Sequence, residues 1–132
     1  MDDQKDMLTQ FADLLEKSRA RWPNSPTLPK GYNIWVDPDD LWLPTVSSPE
    51  YTDNGIGYDA GIALCIKTAS EILYWWLNQN INRELSINLH DGKWEVYLGF
   101  GNDCYHQPVI GGVMSDIDST ILTALRLIVE FQ

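Results

Sequence analysis

Apolar residues recur at three- and four-residue steps from the start of the chain: Met7, Leu8, Phe11, Leu14, Leu15 and Trp22, with Ser18 on the same stripe. That period predicts an amphipathic helix over residues 3–21, stopped by Pro23. A second stripe, Ile62, Cys65, Ile66, Ala69, Ile72, Leu73, Trp76 and Leu77, predicts a central helix from Ala60 to about Asn78 with Asp59 as its cap. The period then changes to two. Leu85, Ile87 and Leu89 alternate with Ser86, Asn88 and His90, and after Asp91-Gly92 the apolar positions are Trp94, Val96 and Leu98.

A two-residue Asp-Gly loop favours a type I′ hairpin, because both central positions need positive φ. The register it imposes pairs His90 with Lys93, and therefore 89 with 94, 87 with 96 and 85 with 98. Every apolar residue of the two strands then falls on one face and is expected to be buried there. Ser86, Asn88, His90, Lys93, Glu95 and Tyr97 fall on the other. A third strand, roughly Tyr105 to Ile110, fits the sheet, with Pro108 favouring an edge and Gly111-Gly112 ending it. Ser115-Asp116-Ile117-Asp118 reads as a capping box that opens a last helix reaching Phe131. Its stripe is Ile117, Ile121, Leu122, Leu125, Ile128 and Val129, which leaves Ser119, Thr123, Arg126 and Glu130 on the opposite side. The fold class is α+β: a three-stranded antiparallel sheet packed with two or three helices.

Residues 22–58 hold all but one of the seven prolines, with tryptophans and tyrosines between them. A long ordered loop is expected, with Trp22, Trp35 and Trp42 packed down onto the core, since such rings are costly to leave in water. The organisation is a single domain over 1–132: an N-terminal helix 3–21, the Pro/Trp-rich loop 22–58, and an α-β-β-β-α core over 59–131.

Charge narrows the partners. A formal net charge of −10 repels nucleic-acid backbones and anionic membranes, so neither direct nucleic-acid binding nor a membrane partner is expected. The N-terminal MDDQKDMLTQ has no export-signal pattern, and no apolar run approaches the roughly 20 residues needed to cross a bilayer, so a cytoplasmic location is expected. Cys65 and Cys104 lack metal or redox spacing and read as reduced thiols, the former inside a helix. Tryptophans 35, 42, 75 and 76 exceed what a 15.1 kDa monomer readily hides, which predicts a homo-oligomer.

The densest chemistry lies in NLHDGKWEVYLGFGNDCYHQP, residues 88–108. His90, His106, Cys104 and Asp103 do not have the spacing of a zinc site, and Gly99-Phe100-Gly101 leads into a strand rather than a helix, so it reads as a turn and not a dinucleotide loop. Cys104 and His106 share a strand face, yet a packing cysteine beside a polar histidine explains them. Asp37, Asp39 and Asp40 suit a proline-bearing turn better than a cation site. Neither a catalytic set nor a cofactor is expected. Arginine is scarce, at Arg19, Arg21, Arg83 and Arg126, and its planar fork suits phosphate. Arg126 is singled out because it sits mid-helix beside an apolar stripe, where the alternative is an exposed pair with Glu130.

The run from PEYTDNGIGYDAGIALCIKTASEIL through LSINLHDGKWEVYLG to SDIDSTILTALRLIVEF resembles the phage ABA sandwich domain family over about 80 C-terminal residues. The residues that carry the resemblance are Pro49, Tyr51, Thr52 and Asp53; Trp94 and Val96; and Leu122, Arg126, Leu127 and Ile128. The N-terminal helix and tryptophan-rich loop are longer than in that family, and Asp53-Asn54-Gly55 is inserted at the helix start. The resemblance implies a phage origin and no enzyme activity. A looser similarity to Thoeris anti-defence sponges implies an oligomer that sequesters a cyclic nucleotide or cyclic ADP-ribose-type immune signal. Arg126 would then fork a phosphate, Phe100 stack on a base and Asn102 read its edge, with Arg83, Tyr105, His106 and Thr123 completing the candidate ligand-binding set. The other reading is an acidic inhibitor or DNA mimic that blocks a basic host defence protein such as a CRISPR effector or nuclease.

Overall fold

The computed structural model describes residues 6–36, 39, 44–49, 55–100, 103–108 and 116–131. The first helix, α1 (Met7–Arg21), starts where Asp6 accepts a hydrogen bond from the Leu8 N–H at 2.8 Å, so a side-chain cap sets its origin. Leu8, Phe11, Leu14 and Ser18 are its buried stripe. The other Asp6 carboxylate oxygen accepts the Tyr58 hydroxyl at 2.7 Å, which ties the start of α1 to the start of α2 (Tyr58–Asn78). Gly57 occupies the α2 cap position without a side-chain bond, and Asp59, expected as the cap, instead lies in the first turn, where its charge faces the positive end of the helix dipole.

Between these helices the Pro/Trp-rich segment contains two short strands that were not expected, β1 (Asn33–Trp35) and β2 (Thr45–Ser47), paired antiparallel with Ile34 opposite Val46. Val46 is fully buried, and the Ile56 N–H donates to its carbonyl at 2.8 Å. Gly61 of α2 makes this possible: a Cβ there would lie 3.0 Å from the Val46 side chain. Of the tryptophans expected on the core, Trp22 packs there half-buried. Trp35 does not, being 51% exposed at the end of its strand, and Trp42 lies outside the described residues.

The three-stranded sheet is β3 (Arg83–His90), β4 (Lys93–Phe100) and β5 (Asp103–Pro108), antiparallel with β4 in the centre. Asp91 and Gly92 have φ of 51° and 76°, and the pairing is His90 with Lys93, Leu89 with Trp94, Ile87 with Val96 and Leu85 with Leu98, the register expected from the turn. β5 is an edge strand beginning two residues earlier than expected.

Burial on the inner face departs from expectation. Val96 and Leu98 are fully buried and Leu85 and Trp94 half-buried, whereas Ile87 and Leu89 remain 38% and 60% exposed. The reason is the position of α3 (Asp116–Phe131), which lies against the central strand β4. α2 touches α1, α3, β2 and β3, and α3 touches α1, α2 and β4. Its supposedly outward Ser119 and Thr123 are accordingly buried, and the Thr123 hydroxyl is satisfied locally by the Ser119 carbonyl at 2.8 Å. Its capping Ser115 lies outside the described residues. No described helix is long and apolar enough to cross a membrane.

Candidate functional site

The residues expected to bind a ligand are placed in three separate surroundings. Arg126 and Thr123 share α3, but the Arg126 guanidinium is half-buried and donates through Nη2 to the Gln10 side-chain oxygen of α1; the expected alternative pair with Glu130 is not formed. Arg83 and Phe100 are cross-strand partners, and Tyr105 lies opposite Leu98 on the same inner face, half-buried against the core. The Arg83 Nη1 donates to the Trp76 carbonyl at 2.9 Å, and its Cζ sits 4.5 Å from the centre of the Trp76 ring. Burial lowers the pKa of this guanidinium, which serves to close the C-terminal end of α2. His106 is on the outer sheet face, stacked on Tyr97 with ring centres 4.3 Å apart, and its Nε2 lies 3.1 Å from Glu95. Asn102 lies outside the described residues.

Cys65 lies inside a helix as expected, whereas Cys104, expected as a packing cysteine, is at the surface. Cys65 is fully buried in α2 and burial pushes its pKa up to about 12, whereas Cys104 is exposed on β5, on the same face as His106. Among the described residues no three histidine, cysteine, aspartate or glutamate side chains gather closely enough to hold a metal ion. Asp39 is exposed in a turn, and its neighbours Asp37 and Asp40 lie outside the described residues.

A different set of side chains makes a cavity. Lys67, Glu71, Tyr74 and Asn78 follow one another at three- and four-residue steps along α2, on the side opposite its buried stripe. Together with Ser70, Trp75 and Pro26 they line an open groove of about 640 Å³. Pro26 reaches it through a turn after α1: the Trp22 carbonyl accepts both the Ser25 N–H at 2.9 Å and the Ser25 hydroxyl at 2.7 Å. The Trp22 ring then stands 6.0 Å from that of Trp75, and the Arg21 guanidinium, bonded to the Val129 carbonyl at 2.8 Å, lies 5.5 Å from the Trp22 ring centre. The groove is thus held by contacts from α1, α2 and α3.

Its chemistry is mixed. Tyr74 is 72% exposed, a large aromatic surface facing solvent. The Asn78 side-chain amide donates to the Tyr74 carbonyl at 2.8 Å, which leaves its oxygen and one amide hydrogen for other partners. Among the described residues no hydrogen bond or ion pair engages the Lys67 ammonium. The sequence reading gave this stripe no role. The one signal it offered was an aromatic residue, Tyr74, among polar ones.

Compared with protein-family models, with curated proteins and with solved structures, the chain matches none. The described positions that carry the resemblance to the phage ABA sandwich domain are largely packing positions: Val96, Leu122, Leu127 and Ile128 are buried and Trp94 is half-buried.

Proposed function

We propose that this protein retains a small molecule rather than transforming one: it holds a nucleotide-type signal and withdraws it from its sensor, the role of a phage-encoded anti-defence sponge. The observation that carries the reading is the groove on α2, about 640 Å³ in volume, walled by Tyr74, Trp75 and Pro26 and rimmed by Lys67, Ser70 and Asn78. Its size lies within the roughly 300–1,000 Å³ of small-molecule sites. Its rings offer stacking, its lysine a charge, and its hydroxyl and amide the means to orient a polar edge. Arg126, first in line from the sequence, is instead engaged with Gln10, so the seat of binding is assigned to α2. The phage context rests on the resemblance of the sequence alone.

The test is a melting-shift and titration-calorimetry panel of cyclic mono-, di- and trinucleotides and cyclic ADP-ribose isomers. A ligand at 100 times its Kd adds about 2.7 kcal/mol of stability. A panel without a binder overturns the proposal. A second reading, inhibition of a basic host protein such as a nuclease or CRISPR effector, is favoured by the net charge of −10 together with the open sheet face bearing Tyr97, Glu95 and His106. Inhibition of such an effector by the protein, with no ligand bound, would establish it.

A further inference from the structure

We infer that the α2 groove selects a mononucleotide: a planar base stacked on the groove's rings, joined to a single negative charge at Lys67. This rests on reading the groove as the ligand site. The charge count follows from where the cations are committed. Arg21 donates to the Val129 carbonyl, Arg83 to the Trp76 carbonyl and Arg126 to the Gln10 side chain, and none of these three lines the groove. Among the described residues Lys67 is the one cation lining the groove, and Glu71 stands one helical turn away on the same rim. A second anionic group on the ligand would find no partner there and would meet both Glu71 and the field of a chain with net charge −10. Cyclic oligonucleotides and pyrophosphate-bridged rings are disfavoured on that ground.

The spacing agrees. Lys67 and Tyr74 are seven residues apart, a rise of about 10 Å along the helix axis, which a lysine stem and a ribose-linked phosphate together span when the base lies at Tyr74. The ligand class is therefore a mononucleotide, with its base on the aromatic surface of Tyr74 and its charge at Lys67.

The experiment is calorimetric titration of the full chain with 3′,5′-cyclic AMP, 3′,5′-cyclic GMP, adenosine and cyclic tri-AMP, repeated on Lys67→Gln and Tyr74→Ala. Both residues are exposed on α2, so the variants retain the fold. The cyclic mononucleotides should bind tightest, cyclic AMP about tenfold better than adenosine, and Lys67→Gln should erase that ratio while leaving adenosine unchanged. Tyr74→Ala should weaken every binder by about tenfold or more. Tightest binding by cyclic tri-AMP, or an unchanged ratio in Lys67→Gln, overturns the inference; if that binding is still lost in Tyr74→Ala, the groove remains a ligand site. Silence from all four compounds overturns this inference, and silence across the wider panel overturns the functional reading as well.

Discussion

Ser18 is fully buried on the inward stripe of α1, and its hydroxyl has no hydrogen-bond partner. A hydroxyl withdrawn from water without compensation costs about 1–3 kcal/mol, and alanine exceeds serine as a helix former by roughly half a kcal/mol. Removing one oxygen forfeits some packing, by less than the ~0.8 kcal/mol of a buried methylene. Ser18→Ala should therefore raise stability by about 1–2 kcal/mol, which moves Tm upward by roughly 3–8 °C for a chain of this size. Thr123 supplies the contrast. It is also buried, but its hydroxyl donates to the Ser119 carbonyl at 2.8 Å, so Thr123→Val should lower stability by about 0.5–1.5 kcal/mol. Urea unfolding followed by tryptophan fluorescence measures both, with m unchanged as the check that the compared states are the same. Ser18→Ala less stable than the parent by more than about 0.5 kcal/mol would refute the reasoning, because the hydroxyl would then have to be bonded in solution.

The projecting hairpin predicts an asymmetry between two leucines of one sheet face: Leu98→Ala should cost about 2–5 kcal/mol, while Leu89→Ala, at a position 60% exposed, should cost under about 1 kcal/mol in the same urea experiment. Thiol titration should find one fast-reacting cysteine, Cys104, in the folded protein and two in denaturant, and a Cys104→Ser variant should show none until unfolded. Alkaline stability should fall. Burial, then the bond to Asp6, raises the Tyr58 pKa from 10.0 to about 12, and burial raises that of Cys65 from 9.0 to about 12, so both neutral forms are favoured by the fold. Their contribution is intact below pH 9 and is lost as pH climbs through 12; Tyr58→Phe should flatten the upper part of that decline in denaturation midpoints measured from pH 8 to 12.

The hairpin was legible because two independent signals, the period of two and the Asp91-Gly92 turn, specify the same register. Its burial was not, since alternation names the inner face but not how far a covering helix extends along it, and α3 leaves Ile87 and Leu89 uncovered. The same limit misled the reading of α3. Ser119 and Thr123 look outward in a pattern, but small hydroxyl side chains enter a crowded layer when a nearby carbonyl accepts their proton, as Ser119 does for Thr123. β1 and β2 are three residues each, too short for a period to register, and what holds Val46 in place is the missing Cβ at Gly61, a fact of packing between distant segments.

Arginine scarcity pointed to Arg126, and the structure gives scarcity a different meaning. In a chain with 19 acids and 9 bases, three of the four arginines act as internal ties: Arg21 joins the end of α1 to α3, Arg83 closes α2 onto β3, and Arg126 links α3 back to α1. A long side chain that can lie along apolar surface and still deliver donors to a carbonyl suits that task. The cation left lining the groove is Lys67, a point charge on a flexible stem, beside the exposed ring of Tyr74. An anion held there, as proposed, would be met by stacking first and charge second. For such a site, removing the Tyr74 ring should weaken binding more than removing the Lys67 charge does, and an order reversed in calorimetry would place the ligand elsewhere on the molecule.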